Sequence, residues 1–142
     1  MKRTLALLAF LLLFSVFGAA QGASYFNCTM TAANTYCPSA SGSTVLNAGI
    51  DTQNLYAVVQ GSAGTLTLLI QGSEDGLFDD AVTCGTVTIA TATAPTGPSL
   101  SCTGVYTRVR VKLSVLTTFT GVNVTYVGVS TAAKTQIGRA HV

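Results

Sequence analysis

The sequence contains no tryptophan, a single histidine and few charged residues, which make up 8% of its 142 residues. Histidine is the most frequent general base in enzymes, and the one present here, His141, is the penultimate residue. No Gly-x-Ser-x-Gly motif and no phosphate-binding glycine loop occurs. These absences argue against a hydrolytic triad and a nucleotide-dependent enzyme, and no tryptophan is available to stack on a sugar ring. We expect a protein that is not an enzyme.

Four cysteines are present, and their number and spacing indicate disulfides rather than a metal site. Cys28, Cys37, Cys84 and Cys102 are too widely spaced to form a Cys-x-x-Cys zinc motif. Four cysteines allow three pairings. The two sequential pairs enclose short loops rich in Ser, Thr, Gly and Pro, so we favour Cys28–Cys37 and Cys84–Cys102.

The N-terminal segment, 1–20, has the pattern of a secretory signal peptide. Lys2 and Arg3 precede an apolar run over 5–17, and small residues before position 21 predict cleavage after Ala20. The run is shorter than the ~20 residues that span a bilayer. We therefore expect a secreted, extracellular or periplasmic protein whose mature form has no membrane span and whose cysteines are oxidised.

The C-terminal segment, 136–142, resembles a translated sequencing adapter. A common adapter, read in one frame with a C before its first base, encodes Gln-Ile-Gly-Arg-Ala-His-Val, which is the sequence found here. On this interpretation His141 is artefactual. Without the signal peptide and this tail, four basic residues and five acidic residues leave a net charge of −1 in place of the formal +2. The formal positive net charge of the full sequence therefore does not indicate a nucleic-acid partner.

The remaining chain is rich in Thr, Val, Gly and Ser, residues typical of strands and turns. No segment after the signal peptide has the apolar period of a helix. Alternation predicts that Leu66, Leu68 and Ile70 face a core, and that Val105, Val109, Val111, Leu113 and Val115 share one face of a strand over 104–116. A change of parity across Gly85 predicts a β-bulge, and a second change is expected near Val127. We predict an all-β fold, an antiparallel β-sandwich of about 7–9 strands.

The predicted organisation has four parts. Residues 1–20 form the signal peptide, and 21–44 form a polar segment with a disulfide loop. Residues 45–131 form the sandwich, and 132–142 form a tail.

Two motifs make residues 46–130 resemble a jelly-roll domain common in phage structural proteins and secreted bacterial proteins. They are Gln-Gly-Ser-Glu-Asp-Gly at 71–76 and Tyr-Thr-Arg-Val-Arg-Val at 106–111. The resemblance implies a jelly-roll sandwich used for display, adhesion or decoration, without shared chemistry. The sequence departs from that pattern at 77–80, where Leu-Phe-Asp-Asp replaces an aromatic-rich stretch.

One acidic cluster, Glu74, Asp75, Asp79 and Asp80, has two interpretations. Four carboxylates in one loop could supply part of the six to eight oxygens that calcium requires. The spacing differs from that of an EF-hand. A solvated turn with no cofactor explains the same composition, because Asp and Gly have the backbone preferences of turns, and we favour that explanation. A glycosidase pair is disfavoured because these acids lie on a predicted exposed turn rather than in a cleft.

One basic stripe is predicted on a single strand face, formed by Tyr106, Arg108, Arg110 and Lys112. It could bind an anionic ligand, or it could keep a valine-rich strand soluble and pair with the acidic turn. The second interpretation is favoured.

The sequence therefore predicts a non-catalytic, secreted or surface-displayed binding or adhesion module. A structural or decoration subunit of an extracellular or phage-like assembly is the alternative. The sequence does not define the partner: a glycan, a protein surface and further copies of the chain are the alternatives, and a nucleic acid is not expected.

Overall fold

A computed structural model describes residues 24–38, 45–46, 49–92 and 96–130. These residues form strands, turns and bends and contain no helix, so none among them could cross a membrane as a helix. Branched residues dominate the strands, as expected for a pleated surface. Nine strands follow in chain order: β1 (Ser24–Met30), β2 (Thr35–Cys37), β3 (Val45–Leu46), β4 (Thr52–Gln60), β5 (Thr65–Ser73), β6 (Val82–Ile89), β7 (Leu100–Thr103), β8 (Arg108–Thr117) and β9 (Gly121–Val129).

The strands form two antiparallel sheets. Sheet A has the order β1-β9-β4-β7, and sheet B has the order β2-β8-β5-β6. β3 also pairs with β8, beyond the position of β2, so β2 and β3 share one edge of sheet B. The described residues therefore fill eight strand positions, which confirms the predicted all-β, antiparallel fold and its strand number.

The pairing of the strands is nested. β1 pairs with β9, β2 and β3 pair with β8, β4 pairs with β7, and β5 pairs with β6. Two further pairs, β4–β9 and β5–β8, join these hairpin-like partners into the two sheets. This is the pairing of one long antiparallel hairpin that is folded over itself so that its strands form two sheets.

The core lies between the two sheets, because alternate side chains of both contribute to one buried cluster. Leu66, Leu68 and Ile70 of β5 are fully buried in it, as the alternation predicts. Burial of each such side chain contributes about 1.5–3 kcal/mol. The other members are Phe26, Met30, Cys37, Leu55, Ala57, Val109, Val111, Leu113, Phe119, Val122, Val124 and Tyr126.

A buried polar contact lies at one end of this core. Tyr126 of β9 donates a hydrogen bond to Oε1 of Gln53 on β4, and Nε2 of Gln53 donates to the backbone oxygen of Gly104, 2.7 Å away. Both side chains are fully buried. The contact satisfies polar groups that would otherwise be costly to bury, and it fixes the connection between β7 and β8 to sheet A.

The two disulfides have the predicted pairing and close the sandwich on both sides. Cys28 on edge strand β1 of sheet A is bonded to Cys37 on edge strand β2 of sheet B. Cys84 on edge strand β6 of sheet B is bonded to Cys102 on edge strand β7 of sheet A. Each disulfide therefore links one edge of one sheet to the facing edge of the other.

The bulge predicted at Gly85 is confirmed. Ile70 pairs with Gly85 and the next residue, Gln71, pairs with Thr83, so Cys84 is the extra residue. A second bulge, which was not predicted, lies in β8, where Thr67 pairs with Val115 and Leu68 pairs with Leu113. The extra residue there is Ser114.

Two predicted positions of valine side chains and one predicted change of parity are wrong. Val115 is 40% exposed because the bulge at Ser114 reverses the alternation, and Leu116 packs against the core instead. Val105 is exposed because β8 begins at Arg108 rather than at residue 104. No change of parity occurs at Val127, since β9 keeps an unbroken register with β4 and Tyr126 and Gly128 are both buried.

Strands β1 and β2 belong to the two sheets, although the sequence pattern set residues 21–44 apart as a polar segment. The polar residues of β1 alternate with Phe26, Cys28 and Met30, which face the core. The predicted signal peptide and the adapter-like segment 136–142 lie outside the described residues.

Candidate binding surfaces

The acidic loop, residues 74–80, is organised around the hydroxyl of Ser73 at the end of β5. The backbone N–H groups of Gly76 and Phe78 donate to Ser73 Oγ over 2.9 and 3.3 Å. The same oxygen lies 2.9 Å from Oδ1 of Asp75 and 2.8 Å from Oδ1 of Asp80. Ser73 is almost completely buried, so its hydroxyl anchors the acidic loop to the end of β5.

Three of the four predicted acidic residues come together. One carboxylate oxygen each from Asp75, Asp79 and Asp80 lies within 4.8 Å of the others, and all three side chains are exposed. Glu74 lies outside this group. The backbone N–H of Leu77 donates to Oδ1 of Asp75 over 2.8 Å. That bond, followed by the one from Ser73, lowers the pKa of the Asp75 carboxyl below its ordinary value. The geometry is that of a hydrogen-bonded, solvent-exposed turn with a local concentration of negative charge, and calcium binding stays the less favoured alternative.

The acidic loop covers the middle of the basic stripe. Arg110, on the outer face of sheet B, is only 8% exposed. Its guanidinium carbon lies 4.1 Å from the ring centre of Tyr36 on β2 and 4.2 Å from that of Phe78 in the loop. Its Nε donates to Oε1 of Gln71 on β5 over 2.9 Å. Burial lowers the pKa of Arg110, but an arginine remains protonated at all ordinary pH values.

Arg108 also packs beneath the loop. Gly76 has a φ of +83°, and a Cβ at that position would lie 2.9 Å from Cδ of Arg108. Glycine is favoured there, because the backbone is left-handed and because the arginine side chain would have to shift to admit a Cβ. The arginines of the stripe therefore hold the loop on sheet B.

The predicted basic stripe is wrong in two respects. Tyr106 precedes β8 and does not share its outer face. Its ring packs against the core cluster, where a Cβ on Gly72 would be only 2.2 Å away. Arg110 is covered by two aromatic rings rather than open to solvent. Arg108 and Lys112 are half-buried, and binding of an anionic ligand by them stays the less favoured alternative.

A surface that the sequence analysis missed is the outer face of sheet A, which we call the neutral face. Its side chains carry amides, hydroxyls, two phenols and valines, and none is charged. They are Tyr25, Asn27, Thr29, Thr52, Asn54, Tyr56, Val58, Gln60, Ser101, Thr103, Asn123, Thr125, Val127 and Val129. Seven of the eight charged residues in the described part of the chain lie on β8 or in the acidic loop, both belonging to sheet B. Asp51, just before β4, is the exception.

A groove of about 340 Å³ lies on the neutral face between β1 and β9. It is built from two Asn-x-Thr segments that run antiparallel, so that Asn27 is opposite Thr125 and Thr29 is opposite Asn123. Its lining residues are Asn27, Cys28, Thr29, Asn123, Val124 and Thr125.

Hydrogen bonds within the groove use some of its polar atoms and leave others available. Oδ1 of Asn123 accepts from Thr29 Oγ1 over 2.7 Å and from Gln60 Nε2 over 3.2 Å. Nδ2 of Asn27 donates to the hydroxyl of Tyr25 over 3.0 Å. Among the described residues, Asn27 Oδ1, Asn123 Nδ2 and Thr125 Oγ1 have no hydrogen-bond partner. An acceptor, a donor and a hydroxyl are therefore free to meet a ligand.

Sequence reasoning missed the neutral face because its residues come from four separate strands. A signal was present in the alternation of β1, β4 and β9, where every outward position is uncharged. Only the pairing of the strands places these positions side by side.

No protein-family profile and no curated protein matches this chain. Among solved structures it is similar to the SPBc2 prophage-derived protein YomS, at 13% identity and a TM-score of 0.38, over 77% of this chain and 96% of that one. It is also similar to the Drosophila NLP core, at 9% identity and a TM-score of 0.39, over 77% of this chain and 98% of that one. A third likeness is to Bacillus endospore appendages, described as disulfide-linked pili, at 15% identity and a TM-score of 0.32, over 80% and 96% of the two chains. At these values the likenesses carry no argument about ligand or assembly.

Proposed function

We propose that this chain is an exported, non-catalytic binding or adhesion module that contacts its ligand through the neutral face. The observation that carries the proposal is the segregation of charge. The outer face of sheet A has no charged side chain, whereas the charges of the described residues are concentrated on sheet B.

The composition of the neutral face suits recognition. Charged side chains are the usual means of keeping an exposed sheet surface soluble and separate from other molecules. A face that replaces them by amides and hydroxyls can be desolvated by a ligand without burying an unpaired charge. Its polar groups are held in register by the strands, so little conformational entropy is lost when they bind.

The scaffold beneath the face supports the same interpretation. Both lateral edges of the sandwich are joined by disulfides, and such bonds persist mainly in extracellular and other oxidising compartments. Cross-links of this kind fit a protein that works outside the cell.

The nested strand pairing supports the finer classification as a jelly roll. That fold consists of eight strands in two sheets, produced by folding a long antiparallel hairpin over itself. Here the first strand pairs with the last, and the pairing proceeds inward to β5–β6. The edge strand that pairs with β8 is divided into β2 and β3, and this is the one departure of the described residues from eight continuous strands.

The test is adsorption of the mature protein to wells coated with cellulose, chitin, mucin or collagen, with Thr125→Glu compared with Thr86→Glu. Thr125 lies in the centre of the neutral face, and Thr86 is exposed on sheet B. We expect adsorption to at least one coating that Thr125→Glu abolishes and Thr86→Glu retains. Adsorption should also survive about 1 M salt, since no ion pair is involved. Equal behaviour of the two variants would refute the proposal.

A second candidate, a structural subunit that assembles with its own copies, is favoured by the edge strands. β1 and β6 are the long edges of their sheets, with seven and eight residues and neither charge nor proline. Natural edges usually carry such protection against pairing with another chain. Size-exclusion chromatography across a concentration series would detect assembly, which Thr88→Lys on β6 should block. A wild-type chain that stays monomeric at every concentration would exclude this candidate.

A further inference from the structure

We propose that the groove between β1 and β9 binds a neutral, hydroxyl-rich glycan. The inference rests on the proposed use of the neutral face and specifies its ligand class. It concerns one part of that face, namely the two antiparallel Asn-x-Thr segments and the tyrosine beside them.

The polar atoms of the groove match the chemistry of sugar hydroxyls. A hydroxyl group both donates and accepts, and an amide side chain can supply each complementary group. Asn27 Oδ1 is an available acceptor, Asn123 Nδ2 an available donor, and Thr125 Oγ1 can serve as either. Asn27 and Asn123 occupy diagonal positions across the strand pair. Such positions are about 7–8 Å apart, so the two amides can contact hydroxyls on opposite sides of one sugar or on adjacent sugars.

Tyr25 supplies the apolar surface that a sugar ring requires. Its hydroxyl accepts a hydrogen bond from Asn27, two residues further along β1. That bond places the phenol hydroxyl next to the side chain of Asn27, which lines the groove, while Tyr25 remains 58% exposed. An aromatic ring held in this way offers a face to the C–H groups of a sugar and costs little conformational entropy to use.

The absence of charge selects against acidic glycans. A sulfate or carboxylate placed in the groove would lose part of its hydration without meeting a cation. The described cations, Arg108, Arg110 and Lys112, lie on the other sheet. A protein ligand fits less well, because the core of a protein interface is apolar, whereas the groove is lined mainly by amides and hydroxyls.

The experiment is a titration of the ¹⁵N-labelled mature chain followed by NMR. The neutral probes are cellohexaose, xylohexaose, mannohexaose and chitohexaose, and the acidic probes are a heparin hexasaccharide and an oligogalacturonate. We expect at least one neutral probe to shift the side-chain amide signals of Asn27 and Asn123, and the acidic probes to leave them unchanged. Shifts confined to residues of sheet B, or no shift with any neutral probe, would overturn the inference.

Matched variants locate the site. Asn123→Ala should weaken binding about tenfold, since it removes a donor that contacts the sugar directly. Tyr25→Ala should weaken it about as much, whereas Tyr25→Phe keeps the ring but loses the hydrogen bond from Asn27 and should have an intermediate affinity. Thr86→Ala, exposed on sheet B and outside the neutral face, is the control and should change the affinity less than twofold. An equal loss in Thr86→Ala and Asn123→Ala would also overturn the inference.

The failures of the two proposals are distinguishable. If adsorption to a coated surface depends on Thr125 but no neutral glycan binds, the neutral face is a binding surface for another ligand and only the glycan inference fails. If adsorption is independent of the face and no glycan binds, both proposals fail. All variants are compared with the wild type by their amide spectra, so that loss of binding is separated from loss of the fold.

Discussion

The ring of Phe78 covers the guanidinium group of Arg110, with 4.2 Å between the guanidinium carbon and the ring centre. Phe78 reaches this position with a φ of +64°, a left-handed conformation that is uncommon for an aromatic residue. The contact, together with that of Tyr36 on the other side, attaches the acidic loop to sheet B. Phe78 thus adopts an unfavourable backbone conformation, and the cation–π contact with Arg110 and the burial of its ring compensate for it.

The Arg110 contact should contribute measurably to stability. We expect Arg110→Ala to lower the free energy of unfolding by about 2–4 kcal/mol, because a buried, hydrogen-bonded and stacked group is lost. Arg110→Lys should restore only part of this, since lysine cannot stack in the same way. Urea denaturation is the measurement, and Lys112→Ala, half-buried and 5.7 Å from the Tyr36 ring, is the control. A smaller effect in Arg110→Ala than in Lys112→Ala would contradict the expectation.

The two disulfides should contribute similar amounts of stability. Their sequence separations are 9 and 18, for which the chain-entropy estimate is about 3 kcal/mol each, slightly more for the longer loop. We therefore expect the Cys28→Ala/Cys37→Ala and Cys84→Ala/Cys102→Ala pairs each to lower the unfolding free energy by that amount. Unfolding midpoints in urea give the comparison. Two double variants as stable as the wild type would show that the packing alone holds the sheets together.

The acid stability of the acidic loop should depend on Asp75. Its carboxyl has a lowered pKa because the Leu77 N–H and the Ser73 hydroxyl favour the charged form. A lowered pKa stabilises the folded state above the ordinary carboxyl pKa of about 4 and loses this effect as the pH falls through the lower, folded-state value. Asp75→Asn should therefore flatten the pH dependence of the melting temperature below about pH 4. Glu74→Gln is the matched control, and an identical pH profile for Asp75→Asn and the wild type would argue against the assignment.

Calcium should have little effect on stability. The three clustered carboxylates are exposed, and Oδ1 of Asp75 and of Asp80 already lies within hydrogen-bond distance of Ser73. Calcium requires six to eight oxygens. We expect millimolar calcium to raise the melting temperature by less than about 2 °C, since a ligand stabilises only in proportion to its binding. A rise of several degrees that a chelator reverses and Asp79→Asn removes would instead establish a calcium site.

Retention on heparin should be weak and should depend on Arg108 and Lys112. Arg110 is covered by Tyr36 and Phe78, and Arg108 and Lys112 are half-buried, so at most two cations of the predicted stripe can contact an anionic polymer. Two contacts give a small dependence of binding on salt. We expect elution at low salt and loss of retention in Arg108→Ser/Lys112→Ser. Strong retention that persists in this double variant would place any heparin site elsewhere.

The sequence predicted the parts of this fold that depend on local alternation. Leu66, Leu68 and Ile70 are buried as expected, and Gly85 marked a bulge because glycine accommodates the irregular backbone. The bulge at Ser114 had no such marker, since it lies within a run of strand-forming residues. Its position follows from the pairing of β8 with β5, which the order of residues in β8 alone does not encode.

The candidate sites were predictable to a smaller extent because they depend on contacts between distant segments. The cover on Arg110 comes from Phe78, in the loop between β5 and β6, and from Tyr36 near the start of the described chain. The groove joins β1 to β9, at opposite ends of the described chain. Composition indicated that the chain has few charges, but only the sheet order showed that they are absent from one face.

The pairing of cysteines that are close in sequence has a consequence for synthesis. A chain that enters an oxidising compartment from its N-terminus presents Cys28 and Cys37 to an oxidant before Cys84 and Cys102 arrive. The first pair can therefore close while it has no competing thiol, and the second pair then has only one partner each. The order of emergence therefore favours the native pairing over the two alternatives.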